Sequence, residues 1–320
     1  MPLLRPHVAL ADDDVDPAST SRRPALRVLL GSGDAEPLSA GTFSFNGRAY
    51  RGTFVRTGDG QVLNVLDLEQ YLYGVVPHEM SPAWPQAALA AQAISARTYV
   101  LQRSDPRRAY DLVPSEVDQV YQGIAGESPA GTAAVDSTAG QVLVFGSAFA
   151  QIAYSSCCGG HTESSADAWG SSPLPYLGGV ACGFCTASPN YRWSAAIALD
   201  TIAAKFSQAL APIGSLADLR IQGRDPSGRA RAFELLGDRG STIVKGSTFR
   251  LTLGPRTLRS LLVTNVQRAP DSTFLVNGAG LGHGVGLCQW GARGMALAGR
   301  AAPDILSFYF PGTAINALGR

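Results

Sequence analysis

The hydrophobic and polar pattern near the start of the chain predicts antiparallel hairpins. Two strand-like runs flank Asn46-Gly47 in "FSFNGRAYRGTFVR". This dipeptide is the strongest short hairpin signal, because both residues of its turn need a positive φ. A second turn, "TGDG", follows and leads into the apolar run "QVLNVLDLEQYLYGVV".

A helix is predicted over residues 85–102, where the sequence becomes rich in Ala, Gln and Leu and contains no Gly. The proline that opens it suits the first helical turn, whose N–H groups have no partners within the helix. Leu89, Ala93, Ala96 and Val100 recur on one face. Because these side chains are small or apolar, we expect a buried central helix.

The later part of the chain mixes strands with short helices. "GQVLVFGSAFAQIAYSS" predicts another hairpin, and residues 195–275 combine the helix "DTIAAKFSQAL" with strands separated by glycines. "GLGHGVGLCQWGARGMALAGR" predicts a Gly-rich turn and then a helix that ends at Gly299. Strands, a long helix and further strands in this order favour an α+β fold, with mixed β-strands around a central Ala-rich helix.

Composition adds limits on the class of protein. The 320 residues are 45% hydrophobic and 16% charged, which allows a packed core. The net charge of +1 gives no electrostatic reason to expect a nucleic acid or an anionic membrane as partner. No apolar run approaches the length of a membrane-spanning helix. Residues 1–26 are polar, predict a disordered segment and show no apolar core of a signal peptide.

Several separate blocks carry a family resemblance. In chain order they are "YLYGVVPHEM", "WPQAALAAQAISARTY", "VYQG", "GGHTESSADAWG", "SPNYRW" and "GHGVGLCQWGARGMA". Together they resemble the SpoIID/LytB family over roughly residues 27–315. The resemblance implies a single SpoIID-like domain, in which residues 195–275 form a strand-rich insertion or subdomain.

The resemblance also implies a function in the bacterial cell envelope, periplasmic or secreted. Such a protein is expected to be a lytic transglycosylase that cleaves the MurNAc–GlcNAc bond of peptidoglycan glycan strands, in sporulation members strands already denuded of stem peptides. Its products would carry 1,6-anhydroMurNAc ends. Another branch of the family consists of amidase enhancers, so a non-catalytic wall-binding protein that stimulates an amidase is the alternative.

Glu79 is the catalytic acid that the resemblance implies, because it occupies the Glu of the "P-x-E-M" block. Ordinary glycosidases use two carboxyl groups. A lytic transglycosylase needs only one, because the sugar's own C6 hydroxyl attacks and no water is activated. A second carboxylate opposite Glu79, among Glu116, Asp118, Glu163 and Asp167, would instead make a hydrolase. The structural alternative is that Glu79 merely caps the following helix.

Other side chains in the matched blocks carry groups suited to holding a sugar. Arg97 could equally form an ion pair of the helix, and the residues of the "QVYQG" block could be packing residues. His283 stands between two glycines that would let a ligand come close. The predicted substrate contacts are Arg97, Tyr99, Gln119, Tyr121, His283, Gln289 and Trp290.

A cysteine cluster predicts a structural zinc ion that catalysis does not require. The pairs Cys158-x-x-His161 and Cys182-x-x-Cys185 each place two ligands three positions apart. Thiolate and imidazole groups at this spacing suit a closed tetrahedral zinc site. Cys157 could replace its neighbour as a ligand, and disulfides that leave Cys288 over, or free thiols, are the alternatives. The zinc site of some sporulation members lies in a segment that here, "YDLVPSEVDQVY", has neither Cys nor His. The predicted ligands are Cys158, His161, Cys182 and Cys185.

Overall fold

A computed structural model describes residues 25–318 and has an α+β architecture, as the sequence predicted. The chain is organised in two compact units. Unit 1 contains the described residues up to 152 together with residues 300–304 and those from 312 onward. Unit 2 contains residues 153–299 and 305–311. The SpoIID-like domain over residues 27–315, with its strand-rich insertion or subdomain, stays a prediction.

Unit 1 contains three antiparallel sheets, with strand orders β1-β6-β5, β2-β3-β4 and β17-β7-β8, and a group of helices. Its first elements are β1 Leu26–Ser32, β2 Ala35–Ser39, β3 Thr42–Phe45, β4 Arg48–Arg51, β5 Thr53–Arg56 and β6 Gln61–Leu66. The others are α1 Leu68–Tyr73, α2 Val76–Glu79, α3 Gln86–Arg103, α4 Pro129–Ser137, β7 Gln141–Phe145, β8 Ala148–Phe149 and β17 Ala314–Ala317.

The predicted hairpins of unit 1 are confirmed. Asn46 and Gly47 join β3 to β4 with φ values of 48° and 76°, so both turn residues have the positive φ that a tight hairpin needs. The second turn joins β5 to β6, and the third predicted hairpin is formed by β7 and β8. Leu26 already belongs to β1, whereas residues 1–24 of the predicted disordered segment lie outside the described residues.

The predicted central helix is also confirmed as α3. Every residue from 91 to 100 is buried, and α3 packs against α1, α2, α4 and β7. Its many alanines explain this environment, because small side chains let neighbouring elements approach from several sides. The helix therefore forms the centre of unit 1 and fixes the short helices beside it.

Unit 2 contains two three-stranded antiparallel sheets, β10-β15-β14 and β11-β12-β13, and the short parallel pair β16-β9. Its first elements are β9 Tyr154–Ser155, α5 Ser165–Trp169, β10 Trp193–Ala198, α6 Leu199–Lys205, α7 Ser207–Leu210, β11 Leu216–Arg224, β12 Ala230–Gly237 and β13 Gly240–Lys245. The others are α8 Gly246–Leu253, β14 Val263–Arg268, β15 Thr273–Gly278, β16 Leu287–Cys288, α9 Gln289–Leu297 and α10 Ala302–Tyr309, of which residues 305–309 count with this unit.

The strand-rich region has a hydrophobic core of its own. Buried aromatic and aliphatic side chains from Trp193 to Val276 form one cluster. Phe233 and Phe249 stack at its centre with ring centroids 4.2 Å apart. Residues 195–275 fall within unit 2, and a core of their own is what an insertion or subdomain of this kind needs to be stable. Over the described residues, none of the helices combines the length and apolarity needed to cross a bilayer.

Candidate functional site

Glu79 is placed by two short helices of unit 1. Asp67 caps α1 by accepting a hydrogen bond from the Glu69 N–H at 2.8 Å, and Gly74 is the C-cap that follows α1. The chain then turns into α2, where the Val75 carbonyl accepts hydrogen bonds from the N–H groups of His78 at 2.9 Å and Glu79 at 3.1 Å. Glu79 is therefore the last residue of α2, and its side chain is half-buried.

Apolar side chains and close contacts hold α2 in place. Val75, Val76 and Met80 are buried on both sides of the acid in the sequence. A Cβ added at Gly131 would come within 2.5 Å of the Pro77 ring, so α4 packs directly on α2. Such close packing leaves the backbone little room to move. The carboxyl group therefore stands on a rigid support.

Two buried tyrosines of unit 1 are electrostatically coupled to Glu79. Burial raises the pKa of Tyr71 well above its usual value, and the charges of Asp118 and Glu79 raise it further. Burial also raises the pKa of Tyr99, with contributions from the same two carboxylates. Within the described part of the chain, the Tyr71 hydroxyl has no hydrogen-bond partner. Both hydroxyls therefore remain protonated near neutral pH.

Asp118 is one of the carboxylates of unit 1 that the sequence offers as a possible second catalytic group. It accepts hydrogen bonds from the Tyr99 hydroxyl at 3.1 Å and the Val113 N–H at 2.9 Å, and it lies 3.6 Å from the Arg103 guanidinium. These partners tie the carboxylate to the chain. Glu116 is exposed. Asp118 thus has a structural role, which leaves Glu79 as the stronger candidate for proton transfer.

Arg97, a predicted substrate contact, has a fully buried side chain. It donates to the Glu69 carboxylate at 2.6 and 2.9 Å and to the Gln141 carbonyl at 3.0 Å. A buried guanidinium needs such partners to offset the loss of hydration. The alternative of a structural ion pair is therefore correct for Arg97.

The residues of the "QVYQG" block are likewise interior. Gln119 is fully buried and donates to the Ala96 carbonyl at 3.3 Å. Tyr121 is buried, donates to Asn64 Oδ1 at 3.0 Å and packs against the Tyr71 ring with centroids 4.8 Å apart. Neither side chain is accessible to a sugar. The predicted substrate contacts of Gln119 and Tyr121 are therefore replaced by packing roles.

Glu79 is not the N-cap residue of α3. The N-cap of α3 is Pro85, whose side chain makes no capping hydrogen bond, and the helix begins at Gln86. Glu79 instead stands at the C-terminal end of the preceding helix, α2. The acid therefore does not occupy the position that the structural alternative required.

In unit 2, His283 lies beside an aromatic side chain that the sequence analysis did not select. The ring centroids of His283 and Trp169 are 5.4 Å apart, and Trp169 is 45% exposed. Burial lowers the pKa of His283 to about 4, and His283 Nδ1 accepts a hydrogen bond from the Val285 N–H at 3.0 Å. The imidazole is therefore neutral near pH 7, and the exposed indole is the larger surface for a ligand.

The two other predicted contacts of unit 2 lie at the start of α9. Gln289 is buried, so the predicted contact between its amide and a sugar is not supported. Trp290 is half-buried, and its backbone N–H donates to the Ser156 carbonyl at 3.0 Å. The Arg293 guanidinium lies 5.2 Å from the Trp290 ring centroid. Contact between Trp290 and substrate stays a prediction.

Two further acids of unit 2 have structural partners. Glu163 and Arg229 are almost fully buried and lie 3.7 Å apart, and the Ser227 hydroxyl donates to Glu163 at 3.0 Å. Burial raises the pKa of Glu163, and the Arg229 charge opposes this shift. Asp167 pairs with Arg231 at 3.0 Å. These pairs hold the loop that follows β9.

The predicted cysteine cluster exists, but its membership differs from the prediction. The four sulfur atoms of the cluster lie within 4.8 Å of one another, and all four residues are buried. His161 is outside the cluster, and its Nδ1 lies 2.7 Å from the Thr162 carbonyl. Cys288 takes the fourth position instead of His161. The members, called the cysteine centre below, are Cys158, Cys182, Cys185 and Cys288.

Comparison with known proteins assigns the chain to a family. A family model described as stage II sporulation protein (SpoIID) matches residues 56–145, which include α1, α2 and α3. Stage II sporulation protein D of Bacillus subtilis is 30% identical over 280 residues, covering 82% of this chain and 77% of that protein. The chain belongs to the SpoIID/LytB family.

Other similarities extend this SpoIID/LytB assignment beyond unit 1. An uncharacterized protein of Brachyspira hyodysenteriae is 34% identical over 279 residues, covering 85% of this chain and 74% of that protein. The amidase enhancer of Bacillus subtilis is 28% identical over 295 residues, covering 77% of this chain but 40% of the enhancer. A model described as a domain of unknown function (DUF8618) matches residues 181–286 of unit 2.

Proposed function

We propose that the protein is a peptidoglycan lytic transglycosylase of the cell envelope, with Glu79 as its catalytic acid and base. The observation that carries the proposal is the position of Glu79. It is a half-buried carboxyl group at the end of α2, between buried apolar residues, in the segment that the SpoIID family model matches. The proposed substrate is the MurNAc–GlcNAc bond of denuded glycan strands.

In the proposed reaction, a single carboxyl group acts twice. Protonated Glu79 first gives its proton to the glycosidic oxygen as the C1–O bond breaks. The resulting carboxylate then takes the proton of the C6 hydroxyl while O6 bonds to C1 and closes the 1,6-anhydro ring. Proton transfer in both directions by one positioned group is ordinary general acid–base catalysis. No water enters the products, so the reaction does not require a second carboxylate.

The surroundings of Glu79 support this role in two ways. Its rigid backbone keeps the carboxyl group in one place, which lowers the cost of reaching a reactive geometry. The buried hydroxyls of Tyr71 and Tyr99 stay protonated and lie within electrostatic reach of Glu79. Hydroxyl dipoles near the carboxyl group would help it pass between its neutral and ionised forms.

Unit 2 supplies a second candidate surface for the glycan strand. Trp169 offers a large exposed aromatic face, and His283 lies against it. Aromatic faces bind the apolar faces of sugar rings, and the neutral imidazole beside it adds no charge. We assign Trp169 and His283 to glycan binding and not to the chemistry.

Mass spectrometry of the products tests the proposed reaction. Purified protein is incubated with denuded glycan strands, and the released fragments are weighed. The account predicts fragments one water lighter than hydrolysis products, and it predicts that they are absent with Glu79→Gln. Fragments with ordinary reducing ends would instead identify a hydrolase and contradict the single-carboxyl mechanism.

The second candidate function is stimulation of a cell-wall amidase. It is favoured by the similarity to the Bacillus subtilis amidase enhancer, although the aligned region covers 40% of that protein. An amidase assay beside the same experiment separates the two functions. The enhancer would be supported if folded protein releases no fragments from denuded or intact strands, while wild type and Glu79→Gln accelerate an amidase equally.

A further inference from the structure

We propose that unit 2 binds one Zn²⁺ ion through the cysteine centre of Cys158, Cys182, Cys185 and Cys288. This site is independent of the chemistry proposed for Glu79. It differs from the site that sequence spacing predicted, because Cys288 replaces His161. Its ligands come from three segments of the chain that are far apart in sequence.

The sulfur geometry fits a single tetrahedral ion. A Zn–S bond of about 2.3 Å places the sulfurs of a regular tetrahedral site about 3.8 Å apart. The four Sγ atoms lie within 4.8 Å of one another, and those of Cys158 and Cys185 are 3.6 Å apart. Iron–sulfur clusters bind their cysteines through different iron atoms and need a wider arrangement. The compact set therefore favours one zinc ion.

Backbone pairing brings the ligand segments of the centre together. The parallel pair of β9 and β16 aligns Cys288 with Ser155, close to Cys158 in the chain. An antiparallel bridge pairs His161 with Ala181, and the Cys182 N–H donates to the Gly160 carbonyl at 2.8 Å. These pairings bring all three segments to one point. The fold therefore presents a prearranged ligand set.

Hydrogen-bond donors surround the sulfurs in the way that thiolate ligands need. The N–H groups of Cys158 and Gly291 point at Cys288 Sγ from 3.2 and 3.3 Å. The Tyr309 hydroxyl lies 3.1 Å from Cys182 Sγ. Donors of this kind spread the negative charge of metal-bound thiolates and are a regular part of such sites.

A disulfide does not explain the centre. Disulfide sulfurs are about 2.05 Å apart, whereas Cys158 and Cys185 are separated by 3.6 Å and all five cysteines are free. Four clustered thiols with backbone N–H groups directed at a sulfur are better matched to a bound cation. With four protein ligands the coordination is complete, so the ion stabilises the fold and takes no part in catalysis.

The ion would stabilise the segment that carries predicted substrate contacts. Cys288 is the N-cap of α9 and comes directly before Gln289 and Trp290. A Cβ at Gly291 would collide with the Tyr309 hydroxyl, so the first turn of α9 lies against the centre. Metal binding should therefore add stability to the start of α9 and to the loop around Cys182.

Metal content and cobalt substitution test the proposal. Wild-type protein purified without chelator should contain about one zinc per chain. After exchange for cobalt, it should show the intense visible bands and the near-ultraviolet charge-transfer absorption of tetrahedral thiolate coordination. Neither readout depends on cell-wall activity, so failure of the Glu79 proposal leaves this test intact.

The chain offers matched controls for the ligand set. Cys157 is buried next to the centre but is not a member, so Cys157→Ala should retain zinc and the cobalt spectrum. His161→Gln should retain both as well. Cys288→Ala and Cys182→Ala should lose zinc. Cys288→Ser is a milder variant, and its cobalt charge-transfer absorption should be weaker than that of wild type because one thiolate is lost.

Several outcomes would overturn the proposal. Reduced wild-type protein with less than about 0.2 zinc per chain and no cobalt spectrum would show that the thiols bind no such ion. Iron with acid-labile sulfide would identify a cluster instead of zinc. Loss of the cobalt spectrum in His161→Gln, with retention in Cys288→Ser, would restore the ligand set predicted from spacing.

Discussion

The surroundings of Glu79 in unit 1 and the cysteine centre in unit 2 use polar side chains in opposite ways. In unit 1, buried polar groups such as Arg97 and Tyr121 are satisfied by the chain itself, and the half-buried Glu79 is the carboxyl group to which we assign the proposed chemistry. In unit 2, four buried thiols converge on one point, and backbone N–H groups and the Tyr309 hydroxyl lie within hydrogen-bond distance of two of the sulfurs. The contrast shows that a residue in a family-matched block can support a site rather than belong to it.

The largest expected effect is that of substituting Glu79, the residue of unit 1 to which we assign the chemistry. Glu79→Gln should reduce glycan-strand cleavage by at least about 10²-fold, because a positioned general acid contributes that much. Its melting temperature should stay close to wild type. Glu116→Gln, which changes an exposed acid of the same unit, is the matched control and should stay active. Equal activity of the two variants would remove Glu79 from the mechanism.

Substitution of Arg97 tests whether the matched block "WPQAALAAQAISARTY" stabilises the fold. Arg97→Met should lower the free energy of unfolding by about 3 kcal/mol or more, because it leaves Glu69 without the guanidinium that it pairs with. Urea unfolding measures this change. At a temperature where the variant is folded, KM for glycan strands should match wild type. A raised KM with unchanged stability would instead restore the predicted substrate contact.

His283 in unit 2 should make the stability of the protein depend on pH. Its pKa is lowered from 6.5 to about 4 by burial, with the charges of Arg250 and Arg229 adding to the effect. Above pH 6.5 both folded and unfolded states hold a neutral ring. As the pH falls from 6.5 to 4, the unfolded chain gains a proton that the folded protein does not take up, so stability falls by up to about 3 kcal/mol.

The His283→Asn variant isolates this contribution, because Asn can still accept a hydrogen bond but does not titrate. Unfolding free energies of both proteins are measured between pH 7 and 4. Wild type should lose more stability than the variant over that range. Parallel pH curves would show that His283 does not titrate differently in the folded state.

Two neighbouring tyrosines of unit 1 provide a finer contrast. Tyr121→Phe should cost about 1–3 kcal/mol, because it leaves the buried Oδ1 of Asn64 without its donor. Tyr71→Phe should stay within about 0.5 kcal/mol of wild type, because that hydroxyl has no partner among the described residues. Denaturant unfolding compares the two. A larger loss in Tyr71→Phe would mean that its hydroxyl has a structural role.

The smallest effect concerns binding on unit 2. Trp169→Ala should weaken the binding of denuded strands several-fold in a pull-down or calorimetric titration, while stability changes by less than about 0.5 kcal/mol, because the side chain is 45% exposed. Ile243→Ala removes another exposed apolar side chain of the same unit and should bind normally. Equal binding by both variants would remove Trp169 from the proposed surface.

Local signals in the sequence predicted much of the fold. The Asn46-Gly47 turn, the Ala-rich helix α3 and the strands of residues 195–275 were all recognisable, because each depends on neighbouring residues. The division into two units could not be recognised from the sequence, because a separate core becomes visible only when distant strands pair.

The candidate site was predicted less completely, for the same physical reason. Glu79 was selected because it occupies the Glu of the family's "P-x-E-M" block. By contrast, the burial of Arg97 depends on Glu69 and Gln141, which lie 28 and 44 residues away. Cys288 joins the centre through pairing with a segment 130 residues earlier, which local Cys spacing cannot reveal. Trp169 becomes noticeable only through its contact with His283.

The source of the oxygen in the new chain ends tests the central claim most directly. Denuded glycan strands are cleaved by the wild-type protein in heavy-oxygen water, and the released ends are analysed by mass spectrometry. If Glu79 acts alone and the C6 hydroxyl attacks, the new MurNAc ends carry no heavy oxygen. Incorporation of one heavy oxygen at each new end would mean that water attacks, and the single-carboxyl account of Glu79 would be wrong.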